Sequence, residues 1–326
     1  MKILTNKRIV ITGGAGFIGS NLCDFFVQHD NFVVCMDNLS TGKRENIAPL
    51  ETLSNFQFFL ADIRNLEQCR EACKGADIVF HQAALGSVSR SIDDPITTNA
   101  VNIGGQLNML VAARDAGVKR FISACSSSTY GDSKTLPKVE ENIGKPLSPY
   151  AVTKYVNELY AKLFHDLYGL DYIGLRYFNV FGYKQDTEST YAAVIPIFVK
   201  ELLNLRSPKI NGDGEYSRDF TFIENVVQMN NLAATTENKE ALNTIYNVAC
   251  GETTTLNQLA SHLKEILSKY NPKIADISFQ YGPNRAGDIP HSLASIEKAE
   301  RLLGYCPQYK IKEGLEKACQ WYVEHL

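Results

Sequence analysis

The sequence predicts a doubly wound parallel α/β sheet with a smaller C-terminal α/β lobe. Short runs of apolar, often β-branched residues alternate with helical patterns through the first half of the chain. Apolar residues follow one another in these runs instead of alternating strictly with polar ones, which is typical of strands buried on both faces of a parallel sheet. A glycine-rich segment, residues 13–19, also joins the first apolar run to the first helical pattern. These two observations predict the fold class.

The first half of the chain supplies six predicted strands and the helices between them. We predict strands over residues 8–12, 31–37, 56–60, 76–82, 118–124 and 172–176. We predict helices over residues 17–29, 66–74, 96–116 and 150–168. This alternation has the spacing that parallel strands with helical crossovers require.

The pattern loosens after about residue 183. Two segments look strand-like, residues 220–223 and 244–249, and we predict helices over 192–205, 256–269, 295–303 and 311–325. Some strands of this region are expected to return to the main sheet, so that the two lobes interleave.

Composition argues against several classes of protein. The chain has 326 residues, with 33 Lys and Arg against 36 Asp and Glu, which gives a formal net charge of −3. This balance provides no basic surface for nucleic acid or an anionic membrane. The longest charge-free stretch, residues 95–113, is too polar to span a bilayer, and no apolar run of signal-peptide length follows the first Met. We therefore expect a cytoplasmic protein that binds neither nucleic acid nor membrane.

Eight cysteines are spread singly along the chain without a Cys-x-x-Cys pair, and the six histidines do not cluster with them. Single cysteines of this kind are typical of buried apolar positions in a reducing compartment. A zinc site needs clustered ligands. We therefore expect no metal.

The glycine-rich segment has the residues and the context of a dinucleotide-binding turn. Gly13 and Gly16 permit a tight turn and close approach of a pyrophosphate, and Gly19 permits close packing of helix on sheet. The N-terminus of the following helix favours phosphate. Asp37 closes the second strand where an acid binds the adenosine ribose hydroxyls, and it would repel the 2′-phosphate of NADP. These residues predict NAD as the cofactor, bound in a Rossmann fold.

Further cofactor contacts are expected at the ends of the next strands. Asp62 follows the third strand, where a carboxylate could accept from the adenine amino group; a solvated loop carboxylate is the alternative. Gln82, Ala83 and Ala84 end the fourth strand, where small side chains leave room for a ligand. The other residues that we assign to the cofactor site are Phe17, Ile18, Asn38, Ser40, Thr41, Gly42, Ile63, Asn102, Tyr150, Lys154 and Tyr177.

A proton-transfer group is predicted after the fifth strand. Tyr150 and Lys154 are four residues apart in a predicted helix, so they share one face. An ammonium group beside a phenol stabilises the phenolate, which can act as a base. Ser126, with Ser127 and Ser128, could hydrogen-bond the same substrate oxygen. Such a group would take a proton from a secondary alcohol while a hydride leaves to nicotinamide. The chain has no Gly-x-Ser-x-Gly elbow around Ser126, which argues against a serine hydrolase.

These residues together resemble the extended short-chain dehydrogenase/reductase superfamily. The similarity extends from residue 8 to about residue 305 through residues 175–182 (LRYFNVFG), 217–220 (SRDF), 246–249 (YNVA) and 285–288 (RAGD). Within the superfamily, the sequence most resembles bacterial UDP-N-acetylglucosamine 4-epimerases, relatives of UDP-galactose 4-epimerase. That closer similarity lies in residues 126–131, 146–158 and 191–196.

The resemblance implies an isomerase that inverts C4 of a UDP-sugar with NAD. Its substrates would be UDP-N-acetylglucosamine and UDP-N-acetylgalactosamine, with UDP-glucose and UDP-galactose as possible further substrates. Tyr150 would remove the C4 hydroxyl proton, the C4 hydride would pass to NAD, and the 4-keto sugar would turn before the hydride returns to its other face. Ser126 aligns with the family serine, and the assignment among Ser126, Ser127 and Ser128 stays open.

The resemblance also implies which residues face the UDP-sugar. Arg218 and Arg285 would each bind diphosphate oxygens through two N–H groups, with structural salt bridges as the alternative. Ser292 stands where family members restricted to non-acetylated sugars have a bulky Tyr, so it would leave space for an N-acetyl group at C2. The other predicted substrate contacts are Ser87, Ser126, Ser128, Tyr150, Asn179, Ala193, Val194 and Asp288.

Three alternatives stay open. A nucleotide-sugar 4,6-dehydratase would need an Asp-Glu pair beside the catalytic Ser or Thr, where residues 126–129 read Ser-Ser-Ser-Thr. A UDP-glucuronate 4-epimerase is the second alternative. A non-catalytic NAD-sensing regulator is the third, although such a protein would not need Tyr150, Lys154 and Ser126.

The resemblance further implies a homodimer formed through the helices at 96–116 and 150–168. We expect residues 1–183 plus about 218–250 to form the NAD-binding domain. Residues from about 184 to 217, with 251–326, are expected to form the UDP-sugar-binding lobe.

Overall fold

The structure is a computed structural model that describes residues 2–186, 193–283 and 289–325. Its strands, in chain order, are β1 (Arg8–Thr12), β2 (Phe32–Asp37), β3 (Phe56–Leu60), β4 (Ile78–His81), β5 (Arg120–Ser126), β6 (Asp171–Tyr177), β7 (Val180–Phe181), β8 (Lys209–Asn211), β9 (Ser217–Arg218), β10 (Thr221–Phe222), β11 (Thr244–Val248), β12 (Thr254–Thr255) and β13 (Gln280–Gly282).

The α-helices are α1 (Phe17–Gln28), α2 (Leu66–Cys73), α3 (Val88–Asp93), α4 (Pro95–Asn99), α5 (Gly105–Asp115), α6 (Pro149–Tyr168), α7 (Val194–Leu203), α8 (Ile223–Thr235), α9 (Leu256–Ser268), α10 (Glu297–Leu303) and α11 (Ile311–His325). A π-helical turn, Ala100–Gly104, joins α4 to α5. Short 3₁₀ turns lie at Arg44–Asn46, Ala48–Leu50, Ser127–Tyr130, Lys239–Ala241 and Pro272–Asp276.

Within the described residues, seven parallel strands form the central sheet in the order β11-β6-β5-β4-β1-β2-β3. Ile9 and Val10 lie on opposite faces of β1, and both are fully buried because helices cover the sheet on both sides. β1 pairs with β2 on one side and with β4 on the other. The strand order reverses there, and open α/β sheets bind ligands at that point. The predicted doubly wound α/β fold is confirmed.

The second half differs from the sequence expectation in one long element. The sequence predicts a strand over residues 220–223, but β10 is only two residues long and Ile223 already begins α8. The sequence does not predict α8 because polar residues occupy buried positions, so an amphipathic pattern is missing. Asn225 donates to the Tyr309 carbonyl (2.7 Å) and Asn231 to the Lys2 carbonyl (2.7 Å). These bonds make buried amide side chains tolerable.

The predicted helix over 96–116 is three consecutive pieces: α4, the π-helical turn and α5. The widened turn contains Asn102, which is buried. Such turns are frequent at functional sites. Helix α3, next to this region, was not predicted, because its six residues (VSRSID) carry no helical hydrophobic pattern.

The chain returns to the main sheet after leaving it. β11 pairs with β6, and α8 contacts α1 and β5. In the part of the chain that the structure describes, three two-stranded ladders lie outside the main sheet: β7 with β10, β8 with β13, and β9 with β12. One hydrophobic cluster runs from Ile9 of β1 to Leu263 of α9 and Tyr322 of α11. The central sheet and the C-terminal helices α9 and α11 therefore share one hydrophobic core.

All eight cysteines are unpaired, and all except Cys306 are buried. No helix in the described ranges combines the length and the apolar character needed to cross a membrane. Within the same ranges, no three His, Cys, Asp or Glu residues are grouped so that they could hold a metal ion.

Candidate active site

The turn between β1 and α1 leaves no room for side chains. Gly13 has φ +66°, and a Cβ at this position would lie 2.8 Å from the Ala83 backbone. A Cβ on Gly19 would clash with the Gly13 carbonyl oxygen. The Gly16 amide donates to that same carbonyl (3.0 Å), and no side chain caps the N-terminus of α1. The turn therefore needs its glycines and presents uncapped N–H groups to a ligand.

Asp37, at the end of β2, is buried beside this turn. Its Oδ2 accepts from the Ala15 amide (3.0 Å) and its Oδ1 from the Leu39 amide (2.8 Å). Burial raises the pKa of the Asp37 carboxyl, and the backbone donors oppose that shift. The carboxyl is thus fixed between the glycine turn and the following loop.

A cavity of about 430 Å³ opens at the carboxyl ends of β1, β2 and β4. Its volume is within the range of small-molecule sites. Most of the predicted cofactor residues line it: Gly13, Gly16, Phe17, Ile18, Gly19, Asp37, Asn38, Ser40, Thr41, Asp62, Ile63, Gln82, Ala83 and Ala84. Two predicted substrate residues, Ser87 and Ala193, also line it.

Five predicted cofactor residues are not part of this lining: Gly42, Asn102, Tyr150, Lys154 and Tyr177. The side chain of Asn102 makes its hydrogen bonds within the protein. Its Oδ1 accepts from the Leu85 amide (2.8 Å), and its Nδ2 donates to the Leu85 carbonyl (3.2 Å) and to Thr153 Oγ1 (3.1 Å). Asn102 therefore ties the loop after β4 to α6. The Tyr177 hydroxyl donates to Gln82 Oε1 (3.1 Å), so it supports a lining residue.

Asp62 is held in an ion pair at the edge of the cavity. Arg64 Nη2 lies 2.7 Å from Asp62 Oδ2, and Asn38 Nδ2 donates to the same oxygen (3.0 Å). The hydrogen bond from Arg64 is the main reason why the pKa of Asp62 is lowered to about 2. The contact of Asp62 with adenine stays a prediction.

Sequence reasoning missed several lining residues: Met36, Ala61, Leu85, Gly86, Arg90, Val101, Gln185 and Asp186. Met36, Ala61 and Leu85 each adjoin a predicted residue, so a wider window at each strand end would have found them. Gln185 and Asp186 follow β7, and no sequence pattern pointed to them.

The predicted proton-transfer residues meet where β5 ends and α6 begins. Tyr150 is the second residue of α6, whose N-cap Ser148 accepts from the Ala151 amide (3.1 Å). Lys154 is buried, and its Nζ donates to the Ala124 carbonyl (2.7 Å). The same Nζ lies 5.9 Å from the centre of the Tyr150 ring. An ammonium group is thus fixed between β5 and the phenol.

The three serines occupy different positions. Ser126 ends β5, and its Oγ accepts from the Ser128 amide (3.2 Å) and from the Ser128 hydroxyl (2.9 Å). The Ser126 hydroxyl therefore keeps its own hydrogen for another acceptor. Ser127 starts the 3₁₀ turn that follows. This geometry favours Ser126 as the donor among the three residues.

His81 is a buried group near this site that sequence reasoning did not single out. It ends β4, and its Nδ1 lies 2.8 Å from Thr12 Oγ1. Burial, with a smaller effect of the Lys154 charge, lowers the pKa of His81 to about 3. His81 is therefore neutral near pH 7. The sequence signal that could have identified His81 is a titratable side chain at the carboxyl end of a predicted strand.

The predicted substrate residues divide into two groups. Ser87 has φ +97° and is the N-cap of α3, while Ala193 is the N-cap of α7 and Val194 is its first residue. Arg218 and Ser292 meet through Ser217, because the Ser292 amide donates to the Ser217 carbonyl (3.1 Å) and Arg218 Nη1 donates to the same carbonyl (2.9 Å).

Asn179 has φ +34°, and its Nδ2 donates to the Asp219 carbonyl (3.1 Å), which places it beside Arg218. Two predicted substrate residues, Arg285 and Asp288, lie outside the described residues.

Residues 9–249 match the NAD dependent epimerase/dehydratase family. The chain belongs to this family. Its resemblance to the extended short-chain dehydrogenase/reductases is thereby confirmed, and so is NAD as the cofactor.

Several solved structures of this family are similar to the chain over nearly its whole length. A UDP-N-acetylglucosamine 4-epimerase from Methanobrevibacter ruminantium M1, in complex with UDP-N-acetylmuramic acid, is 39% identical with a TM-score of 0.92, over 99% of this chain and 100% of that one. A UDP-glucose 4-epimerase from Thermotoga maritima, with UDP-glucose, is 36% identical with a TM-score of 0.89, over 97% and 99%.

A third structure, the UDP-glucose 4-epimerase of Thermus thermophilus in complex with NAD, is 31% identical with a TM-score of 0.83, over 98% of this chain and 100% of that one.

The cavity of this family member suits NAD by its donors and its shape. The turn can adopt this tight conformation, which a pyrophosphate-binding turn needs, only because Gly13 and Gly19 lack a Cβ that would clash with the backbone of Ala83 and Gly13. The uncapped N-terminus of α1 offers N–H donors to phosphate, and the Asp37 carboxylate offers acceptors to hydroxyl groups. The residues present therefore fit the cofactor.

Proposed function

We propose that this protein interconverts UDP-N-acetylglucosamine and UDP-N-acetylgalactosamine by oxidation and reduction at C4 of the sugar. The position of Lys154 carries the proposal. Its Nζ donates to Ala124, two residues before Ser126, and lies 5.9 Å from the centre of the Tyr150 ring. One buried lysine thus lies between the proposed base and the strand that ends in the proposed hydrogen-bond donor. We assign Tyr150, Lys154 and Ser126 to catalysis.

The chain's own residues move one proton in each direction. The Tyr150 phenolate takes the proton of the C4 hydroxyl while the electron pair of the C4–H bond leaves. The Lys154 ammonium stabilises the phenolate, and the Ser126 hydroxyl donates to the C4 oxygen. When bound, NAD would supply the hydride acceptor for C4 and, in its reduced form, the hydride donor to the opposite face of the sugar, so the reaction would have no net redox change. Tyr150 then returns its proton to the C4 oxygen.

The second half of the site supports a UDP-sugar as substrate. Arg218 has a planar guanidinium suited to diphosphate oxygens. Ser292 is adjacent through the Ser217 backbone and is small. The similarity to the M. ruminantium protein, which is named a UDP-N-acetylglucosamine 4-epimerase, also supports the proposal that this chain acts on acetylated sugars. We propose that Ser292 leaves the space for the acetamido group, and that UDP-glucose and UDP-galactose are poorer substrates.

The direct test is incubation of the purified protein with UDP-N-acetylglucosamine, followed by chromatographic separation of the UDP-sugars. We expect UDP-N-acetylgalactosamine to form without net change in the absorbance of reduced NAD. A protein that holds NAD but forms no UDP-N-acetylgalactosamine would contradict the proposal and favour an NAD-sensing regulator.

The acetyl preference has a separate test. Ser292→Tyr should lower kcat/KM for the acetylated sugars at least tenfold and spare UDP-galactose, because a bulky ring would occupy the acetamido space. Ser261→Tyr, at an exposed position of α9, is the matched control. Unchanged turnover of acetylated sugars by Ser292→Tyr would contradict the assignment.

A 4,6-dehydratase is less well supported by the described residues. That reaction needs an acid and a base beside the catalytic hydroxyl to eliminate water. Residues 126–129 present only hydroxyl groups there, and the hydroxyl of Thr129 is fully buried. The observation favours epimerisation.

We also propose a homodimer. Leu159, Leu163 and Leu167 form an exposed apolar stripe on α6, and Ile92 and Ile96 are exposed on α3 and α4, Ile96 by 82%. A second copy would bury these side chains. Analytical ultracentrifugation should show a dimer that Leu163→Glu dissociates and Lys162→Glu does not. A monomeric wild-type protein would contradict this proposal.

The division of the chain into domains is likewise a proposal. Residues 1–183 plus about 218–250 would hold NAD, and residues from about 184 to 217 with 251–326 would hold the UDP-sugar. We propose the cytoplasm as the location, since eight unpaired cysteines suit a reducing compartment.

A further inference from the structure

Asp219 is a fully buried carboxylate that the proposed reaction does not use. It follows Arg218 directly. Its Oδ1 accepts from the Cys250 amide (2.8 Å), and its Oδ2 accepts from the amides of Gly251 (3.1 Å) and Ala294 (3.3 Å). One side chain therefore joins three segments that are far apart in the chain: the end of β9, the turn after β11 and the segment around Ser292.

The segment around Ser292 is a short strip, residues 290–295, which we call the wall strip. Along one edge, the Ser217 amide donates to the Pro290 carbonyl (3.0 Å) and the Ser292 amide to the Ser217 carbonyl (3.1 Å). Along its other edge, the Lys138 amide donates to the Leu293 carbonyl (2.7 Å). Asp219 anchors the strip two residues after Ser292.

Arg218 belongs to the same arrangement. Its Nη1 donates to the carbonyls of Ser217 (2.9 Å) and Pro290 (3.2 Å), so its guanidinium rests on the first residue of the wall strip. A shift of the strip would move both the side chain proposed for the diphosphate and the residue proposed beside C2 of the sugar.

We propose that Asp219 is a positioning residue that holds Arg218 and the wall strip in register, and so sets both the affinity for UDP-sugars and the choice between acetylated and non-acetylated ones. The inference rests on the proposed function. A buried carboxyl is unfavourable unless it is hydrogen-bonded. Three N–H donors surround the two oxygens of Asp219, and its ionised form can accept from all three.

Asp219→Asn tests this requirement at nearly constant volume. The Asn amide can offer one oxygen, and its NH₂ must then face at least one backbone N–H, which separates the segments on that side. We expect KM for UDP-N-acetylglucosamine to rise about tenfold while kcat changes less than threefold. The ratio of kcat/KM between UDP-N-acetylglucosamine and UDP-glucose should also change at least threefold.

Hydrogen exchange supplies a readout independent of turnover. Peptides covering residues 290–295 should exchange faster in Asp219→Asn than in the wild-type protein, while those covering β1 should not change. Asp213→Asn, an exposed carboxylate in the same lobe, is the matched control and should leave KM and exchange unchanged.

A second variant keeps the test decisive if Asp219→Asn does not fold. Ser217→Ala removes the hydroxyl that lies 3.0 Å from Nδ1 of His291, a residue of the wall strip. The variant therefore weakens the attachment of the wall strip to β9 through a side-chain contact. It should raise KM for UDP-N-acetylglucosamine and change the ratio of kcat/KM between the two sugars, each by a smaller factor than that expected for Asp219→Asn.

Unchanged KM and ratio in the folded variants would overturn the inference while wild-type epimerisation stands. A fall in kcat alone, with KM and strip exchange unchanged, would also overturn it. A wild-type protein without activity on any UDP-sugar would instead contradict the proposed function.

Discussion

The cofactor half and the substrate half of the candidate site are built in opposite ways. In the cofactor half, the glycine turn and Asp37 belong to one β-α-β unit, and the carboxyl ends of the neighbouring strands β2, β3 and β4 present most of the other lining residues. In the substrate half, Arg218 and Ser292 meet only because short ladders and the buried Asp219 carboxylate hold distant segments together. The first half is organised by a regular sheet, and the second by individual long-range hydrogen bonds.

Because of this difference, we expect amino-acid substitutions to affect the two halves differently. A change in the cofactor half must disturb a continuous buried sheet, whereas a change in the substrate half can act through one side chain. The following variants test that contrast, from the largest expected effect to the smallest.

Tyr150→Phe acts where the two halves meet and should have the largest effect. Without the phenol oxygen the C4 proton has no acceptor, so kcat should fall by roughly 10³-fold. NAD content and thermal stability should stay at wild-type values. Tyr155→Phe on the same helix is the control. Chromatographic assay of the UDP-sugars measures the loss, and residual activity above a tenth of wild type would contradict the role.

The substrate half should respond to pH through Asp219. Burial raises the pKa of Asp219 to about 7, which is above the unfolded value of 3.8, so the folded state retains a proton that the unfolded state releases. The titratable groups that face Asp219 are Cys250, Glu252 and Tyr305. Lys310 in turn faces Glu252 and Cys250.

The expected consequence has a definite sign. The contribution of Asp219 to the free energy of unfolding is present below about pH 4 and is lost as pH rises to about 7. Relative to Asp219→Asn, the wild-type protein should therefore lose up to a few kcal/mol between pH 5 and pH 8. Urea unfolding of both proteins at the two pH values measures this. An equal change in both would show that Asp219 does not titrate in this range.

Gly19→Ala tests the cofactor half. The added methyl group would meet the Gly13 carbonyl, so the turn must shift. Overpacking of this kind costs about 1–3 kcal/mol. We expect NAD affinity to fall roughly 10- to 100-fold. Gly104→Ala is the control, because a Cβ there meets no atom within 4 Å. Equal NAD content in both variants, measured after denaturation, would contradict the packing argument.

Arg64→Gln should have the smallest effect and the opposite pH dependence from Asp219. Because Arg64 lowers the pKa of Asp62 to about 2, this pair stabilises the fold above about pH 4 and loses its effect as pH falls toward 2. Both side chains are partly exposed, so we expect less than about 1 kcal/mol at pH 7. Urea unfolding at pH 7 and pH 3 should show a difference that shrinks at the lower pH.

The same contrast explains what could be predicted from the sequence. The bounds of β1 and β3 and most of the cavity lining were predictable, because apolar runs and glycine spacing are local signals. Helix α8 was missed because buried amides such as Asn225 and Asn231 break the pattern. The function of Asn102 within the protein was also missed, since only the folded chain brings Leu85 and Thr153 to its side chain.

The wall strip shows most clearly what could not be predicted from the sequence. A resemblance placed Ser292 and Arg218 in the substrate site, but no periodicity in the sequence connects residues 217–219 with 290–295. Their register depends on hydrogen bonds between segments more than seventy positions apart. Arg285 and Asp288 remain predictions.

The return of β11 to the sheet has a consequence for synthesis of the chain on the ribosome. β6 carries the apolar residues Ile173 and Leu175 and pairs with β5 on one side only until Thr244–Val248 has been made. Throughout that interval the nascent protein has an unpaired apolar edge strand, the kind of surface that templates aggregation. A fragment ending near residue 183 would keep that edge permanently, so a minimal soluble cofactor-binding fragment has to include β11.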